Sequence, residues 1–285
     1  MNQTPIVPLD PLTRFASGRR VEPFDQTPPT GTSQDRPVSQ PQSVRVALPS
    51  LSPTVTYVLI GFTVFVYLLQ LASVAIWGYA VYQIDWLEVY GARFNTAIRA
   101  GELWRFITPV FLHGSPAHIF FNMYALLSIG TFLERQFGHG RFALLYFLGA
   151  FAGNVFSFLL TGENGYSVGA STAVFGLIGA QAVFFYQNRE LFGGQARQAI
   201  GNTVFIIVIN LFIGLSPGID NWGHIGGLLG GVIFAWFAGV RWMVTGMPPE
   251  MTLIDRRESR EIVTGLGVVI LIFSMLAVWG MFFKY

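Results

Sequence analysis

Seven apolar segments, each close to the length of a membrane crossing, constrain this chain more than any other feature. They fall at 55–80, 116–133, 142–161, 169–187, 199–215, 222–240 and 262–283. A helix needs about 20 mostly apolar residues to cross the hydrocarbon of a bilayer. Lipid offers no water to the backbone, so a crossing segment must satisfy its own N–H and C=O groups, which an α-helix does. The segments predict an all-α polytopic membrane protein with seven transmembrane helices in a bundle. Composition agrees: 11% of the 285 residues are charged, against about 25% in soluble domains, and the mean hydropathy is +0.52.

Residues 1–50 differ in kind. The stretch "PPTGTSQDRPVSQPQS" is rich in proline, serine and glutamine and has little to bury, which predicts a disordered tail. Lysine and arginine then set the expected orientation. With the tail in the cytoplasm, 13 of the 17 basic residues face inward, among them Arg135, Arg141, Arg189, Arg197 and Arg256. Four face outward: Arg93, Arg99, Arg105 and Lys284. The N-terminus is therefore expected inside and the C-terminus outside. The outer loop 81–115 mixes Trp86, Tyr90 and Trp104 with charges and is expected to lie half-embedded in the outer leaflet.

Polar groups at membrane depth are few, and no carboxylate falls inside the segments listed above. His118 and Asn122 are four apart and share a helix face, suiting either an anionic oxygen or hydrogen bonds between helices. Ser171 lies in "VGASTAVFGLIGA" and His224 in "NWGHIGGLLGG". Gly169 precedes the serine, and Thr172, Gly176 and Ala180 continue a small-residue face at four-residue spacing. Gly223, Gly227 and Gly231 do the same around the histidine. Such faces let helix backbones approach closely, so Ser171 and His224 can meet. Histidine titrates near neutral pH and can make a serine nucleophilic. The Ser171 amide, His118 and Asn122 are the candidate donors for the resulting oxyanion. His113 reads as structural and His139 as solvated. Asp220 follows Pro217 and Gly218, which places it in an external loop where water screens it.

These residues, in this order, resemble the rhomboid family of intramembrane serine proteases over about 85–240. "GELWRFITPVFLHG" is similar to the family's first-loop segment, with Trp104 and Arg105 as its Trp-Arg pair. "HGSPAHIFFNM" is similar to its second-helix motif, which puts His118 and Asn122 in oxyanion positions. "LERQFG" resembles the Glu-Arg motif, with Glu134 in a supporting role. "GASTAVFG" resembles the nucleophile motif and "GHIGGLLGG" the histidine helix. The resemblance implies Ser171 as nucleophile and His224 as general base in a dyad. Phe175, where tyrosine often stands, would support the ring. Thr172 occupies a position that is often glycine.

By this resemblance 51–242 is a six-helix catalytic core, 243–261 a cytoplasmic loop and 262–285 an added C-terminal helix. It implies a site in a water-filled cavity open to the outside, in a multi-pass protein of a plasma membrane, bacterial in type. The expected substrates are single-span membrane proteins cut within or near the outer part of their helix. The alternative is a rhomboid-like pseudoprotease that binds membrane clients without cutting, although such relatives lose the serine or the histidine. The lipid bilayer is the other expected partner. The net charge of +2 with no basic run argues against nucleic acid, and no nucleotide-binding loop occurs. No cofactor and no metal are expected: the chain has no cysteine and no His-Glu-x-x-His motif.

Overall fold

The computed structural model describes residues 51–81, 83–247 and 250–284. The expectation of a disordered tail over 1–50 lies outside these residues. Seven long helices organise the described residues: α1 (Thr54–Trp77), α2 (Pro116–Phe137), α3 (His139–Leu160), α4 (Ser171–Gln187), α5 (Gly194–Ile213), α6 (Asn221–Ala238) and α7 (Ser259–Phe282). Five of them, α1, α2, α3, α5 and α7, are long and apolar enough to cross a membrane by length and composition. The other two, α4 and α6, are 17 and 18 residues long and lie inside the bundle. Glycine and histidine dilute the hydropathy of α6 where it is most enclosed.

Local sequence sets the helix ends. Ser115 caps α2, its Oγ accepting the His118 N–H at 3.2 Å, and Pro116 takes the first helical position, which needs no N–H. A π-turn at Leu126–Gly130 interrupts α2. Helix α1 turns its polar stripe inward: Thr56, Thr63, Gln70 and Ser73 are buried while Val58, Phe62, Phe65 and Leu68 are exposed. At its first turn the Val55 and Thr56 N–H groups each donate to Glu134 at 2.7 Å.

The core is the meeting of α3, α4 and α6. Within its candidate span α3 is 67% buried, whereas α5, on the periphery against α4, is 11% buried. In lipid there is little hydrophobic force between helices, so close van der Waals contact must hold this core. Its glycines provide that contact. A Cβ at Gly227 would collide with the carbonyl of Thr172, and one at Gly231 with the carbonyl of Gly176. The small-residue faces at 172–180 and 223–231 are therefore the α4–α6 seam.

The loop between α1 and α2 is built from the short helices Trp86–Gly91 and Asn95–Arg99 and two 3-10 turns. Its strand β1 (Arg93–Phe94) pairs antiparallel with β2 (Tyr166–Ser167), just ahead of α4. Between α6 and α7 a hairpin of β3 (Trp242–Met247) and β4 (Glu250–Asp255) occupies what the sequence presents as a plain loop. Arg257, after the hairpin, is largely buried and donates to the carbonyls of Gly239 and Trp236 at the end of α6, at 2.7 and 2.5 Å. Two expectations need correction. Carboxylates do enter the long helices: Glu134 lies in the last turns of α2 and Glu261 in the first turn of α7. His139 is not simply solvated, for its Nδ1 lies 2.5 Å from Glu134 Oε1.

Candidate active site

Helix α4 begins at Ser171 itself, after Gly169 and Ala170. Gly169 has φ +122°, a conformation that strains any residue with a side chain. An added Cβ there would also come within 2.6 Å of His118 Nε2. Glycine at this point thus lets the chain turn into α4 with the His118 imidazole lying against it. Ala170, preceding the helix, offers no side-chain cap. The first amides of a helix lack intrahelical partners and carry its positive end, so the surroundings of Ser171 favour negative charge.

The tight seam brings α6 alongside, and His224 Nε2 lies 3.0 Å from Ser171 Oγ. The imidazole is 7% exposed and lies flat on the Phe175 ring, one helical turn beyond Ser171. Its Nδ1 is buried and has no hydrogen-bond partner. When Nε2 accepts from the serine, the ring proton is on Nδ1. Among the described residues no carboxylate bonds Nδ1, and packing on Phe175 sets the ring's aim.

His118 approaches from α2, its Nε2 beside Gly169 two residues before Ser171. Asn122, one turn further along α2 and buried, donates from Nδ2 to the His118 carbonyl at 3.0 Å, which leaves its second amide hydrogen for another acceptor. His113 does more than the sequence suggests. Its Nε2 accepts the Ala170 N–H at 3.3 Å, and its ring meets that of His118 edge-on with centroids 5.0 Å apart. Burial, with His118 adding to it, pushes the His113 pKa down to about 3, which keeps this acceptor neutral. Gln70 on α1 clamps the His113 peptide, donating to its carbonyl at 3.4 Å and accepting its N–H at 3.0 Å. A glutamine in an apolar segment, seven residues from Thr63 and fourteen from Thr56, was the available signal for this contact.

Thr172 packs between helices. Its Cγ2 would lie 2.9 Å from a Cβ at Gly153 and 3.0 Å from one at Gly223, so its side chain fills the space those two glycines leave between α3 and α6. Trp104, Arg105 and Glu134 make their bonds away from Ser171. Trp104 Nε1 donates to the Tyr90 carbonyl at 3.0 Å. Arg105 donates to the carbonyls of Ala92 and Val89 at 2.6 and 2.8 Å, closing the end of the short helix Trp86–Gly91. Glu134 ties α2 to the start of α1, also accepting the Thr56 hydroxyl at 2.6 Å.

Asp220 is not in a screened loop. It caps α6, accepting the Gly223 N–H at 2.9 Å, and its side chain is only 13% exposed. Proline and glycine do end the preceding turn, but the aspartate side chain folds back onto the helix it precedes. Among the described residues no group of three or more His, Asp or Glu side chains is placed to hold a metal ion. A serine and an imidazole in hydrogen-bond contact beside an uncapped helix start can carry acyl transfer: a nucleophile, a base and donors for an oxyanion.

A family model described as the rhomboid domain matches residues 100–241. Rhomboid protease GluP of Bacillus subtilis (strain 168) is 43% identical over 156 residues, which cover 54% of this chain and 30% of that protein. RHOMBOID-like protein 2 of Arabidopsis thaliana is 32% identical over 203 residues, covering 70% of this chain and 63% of that protein. Rhomboid-like protease 1 of Toxoplasma gondii is 38% identical over 144 residues, covering 50% and 49%. The chain spans less than two thirds of the length of each of these relatives. The matched segment holds Trp104, Arg105, His118, Asn122, Glu134, Gly169, Ser171, Phe175 and His224, and on these grounds the chain, an integral multi-pass membrane protein, belongs to the rhomboid family.

Proposed function

We propose that this protein is a serine-type intramembrane endopeptidase that uses Ser171 as nucleophile and His224 as general base. The observation that carries the reading is the 3.0 Å contact between Ser171 Oγ and His224 Nε2. Ser171 Oγ attacks the scissile carbonyl while Nε2 takes its proton. The carbonyl oxygen becomes an oxyanion, held by the Ser171 N–H, the His118 ring and the free amide hydrogen of Asn122. His224 then protonates the leaving amine, which departs and leaves an acyl-serine. Water, deprotonated by the same Nε2, hydrolyses that ester and restores the serine. Loss of one oxyanion donor costs about 10²–10³ in kcat in serine proteases, and His118 and Asn122 are each expected to fall in this range.

The substrates are single-span membrane proteins, cut within or near the outer part of their helix. Ser171 and His224 lie at the ends of α4 and α6 that adjoin the loop 81–115. With seven crossings, the cytoplasmic N-terminus and outer C-terminus that the arginines favour put that loop and the site on the outer side. The membrane is a plasma membrane.

The test is cleavage of a model single-span substrate by purified protein in proteoliposomes. The wild type is expected to cut, while Ser171→Ala and His224→Ala are expected to lose nearly all activity with expression intact. Binding of the substrate without cleavage by the wild type would favour a pseudoprotease.

A further inference from the structure

Asp220 stands four residues before His224 on the same helix, the place from which a carboxylate could complete a triad. Its oxygens are engaged elsewhere. Besides capping α6 through Gly223, they accept the Ser157 hydroxyl of α3 at 2.6 and 2.7 Å. Oδ2 also lies 3.7 Å from Arg93 Nη2. Arg93 is fully buried. It donates through Nη1 to Asn95 Oδ1 and, at 3.2 Å, to Thr161 Oγ1, while its Nε and Nη2 have no hydrogen-bond partner. Asp220 is the carboxylate in ion-pair contact with this buried guanidinium, and a buried charge is retained only where it is paired.

Arg93 belongs to β1 and pairs with Ser167 on β2. Four residues after Ser167 the chain reaches Ser171. One carboxylate thus meets three elements at a single point: the first turn of the helix that bears His224, the outer end of α3, and the two-stranded ribbon that leads into Ser171.

We infer that Asp220 is a positioning residue for the Ser171–His224 pair, holding the histidine helix and the serine segment in register through Ser157 and Arg93. This rests on the reading of those two residues as nucleophile and base. It differs from a triad, in which Asp220 would bond the ring. It differs also from a bare helix cap, which would keep the protein folded without changing how the folded protein reacts.

The experiment measures two quantities on the full chain in detergent, normalised to folded protein. One is the second-order rate of labelling by a fluorophosphonate; the other is kcat and KM for a model single-span substrate. Asp220→Asn keeps a capping oxygen and loses the counter-charge of Arg93. Its labelling rate and kcat are expected to fall between about tenfold and a hundredfold, the scale of a small displacement of reacting groups, with KM little changed. Asp220→Ala, which loses all three links, is expected to fall further. Arg93→Gln is expected to match Asp220→Asn, and the double variant to fall no further than either single, because both break one link.

Wild-type labelling per folded molecule in Asp220→Asn would overturn the inference. So would effects that multiply in the double variant, or a loss in Asp220→Asn as deep as that in His224→Ala. Ser157→Ala removes only a hydroxyl and covers the case in which the charge variants do not fold. A lower labelling rate in it supports the inference, and an unchanged rate counts against it. A wild-type protein that takes no label at all would instead remove the assignment of Ser171 and His224.

Discussion

The imidazole of His224 and the ring of Phe175 lie 4.2 Å apart between centroids, with their planes 6° from parallel. No carboxylate bonds the far nitrogen of that imidazole, so the stack is what keeps Nε2 aimed at Ser171. Aromatic pairs contribute about 0.5–1.5 kcal/mol beyond burial, and about 1.4 kcal/mol is tenfold in rate. Phe175→Ala is expected to lower kcat about tenfold, on that scale, with folding retained. Phe175→Tyr keeps the stack and is expected to stay near the wild type. An unchanged kcat in Phe175→Ala would show that the ring is oriented by something else.

The seam between α4 and α6 makes a second prediction. A side chain at Gly227 has no room beside the Thr172 carbonyl, so Gly227→Ala must push the helices apart. Overpacking of this kind costs about 1–3 kcal/mol, and moving a reacting group by about 1 Å can cost on the order of 10² in rate. Gly227→Ala should therefore lower both Tm and fluorophosphonate labelling. Thr172→Gly, which empties the space between Gly153 and Gly223, should lower Tm as well, the lower helix propensity of glycine adding about 0.3 kcal/mol. Thr172→Val should hold Tm, because the Thr172 hydroxyl is buried with no partner. A rise in Tm for Thr172→Gly would show that the threonine is a misfit there.

Acid should change the loop between α1 and α2 in a defined direction. Glu88 is buried, and burial first and the neighbouring Asp85 second raise its pKa above the ordinary value. A carboxyl whose folded pKa is raised contributes stability that is present below the unfolded pKa, about 4.3, and is lost as pH rises through the folded value. Glu88→Gln mimics the protonated form. It should raise Tm relative to the wild type at neutral pH, and the difference should shrink toward pH 4, near that unfolded value. A difference that widens on acidification would reverse the sign.

Sidedness can be read directly, since the native chain has no cysteine. A cysteine at Glu163, in the exposed turn between α3 and α4, should react with an impermeant maleimide added outside intact cells. One at Gln195, at the start of α5, should react only after permeabilisation. The opposite pattern would turn both the arginine count and the outward-facing site upside down.

Much of this arrangement is legible in the sequence because membrane helices announce themselves twice, by apolar length and by the spacing of their small residues. The α4–α6 seam follows from glycines every four residues, and the meeting of Ser171 with His224 follows from the seam. Helix ends are less legible. Hydropathy marks the part that sits in lipid, so α5 is expected from 199 and begins at Gly194, whose polar first turn carries no apolar signal. Contacts between distant polar residues leave still less trace. Nothing near Asp220 in the chain points to Arg93 or Ser157, and only the folded loop brings them together. The Ala170–His113 bond is of the same kind. The packing of Thr172 leaves as little trace, for its side chain faces Gly153 and Gly223 on two other helices.

The most direct measurement is to locate the fluorophosphonate adduct by peptide mass spectrometry in the wild type, Ser171→Ala and His224→Ala. A Ser–His pair in contact predicts one adduct, on Ser171, absent from Ser171→Ala and nearly absent from His224→Ala, whose Ser171 lacks a base. An adduct on another serine, or undiminished labelling of Ser171 when His224 is alanine, would contradict the assignment of this pair as nucleophile and base.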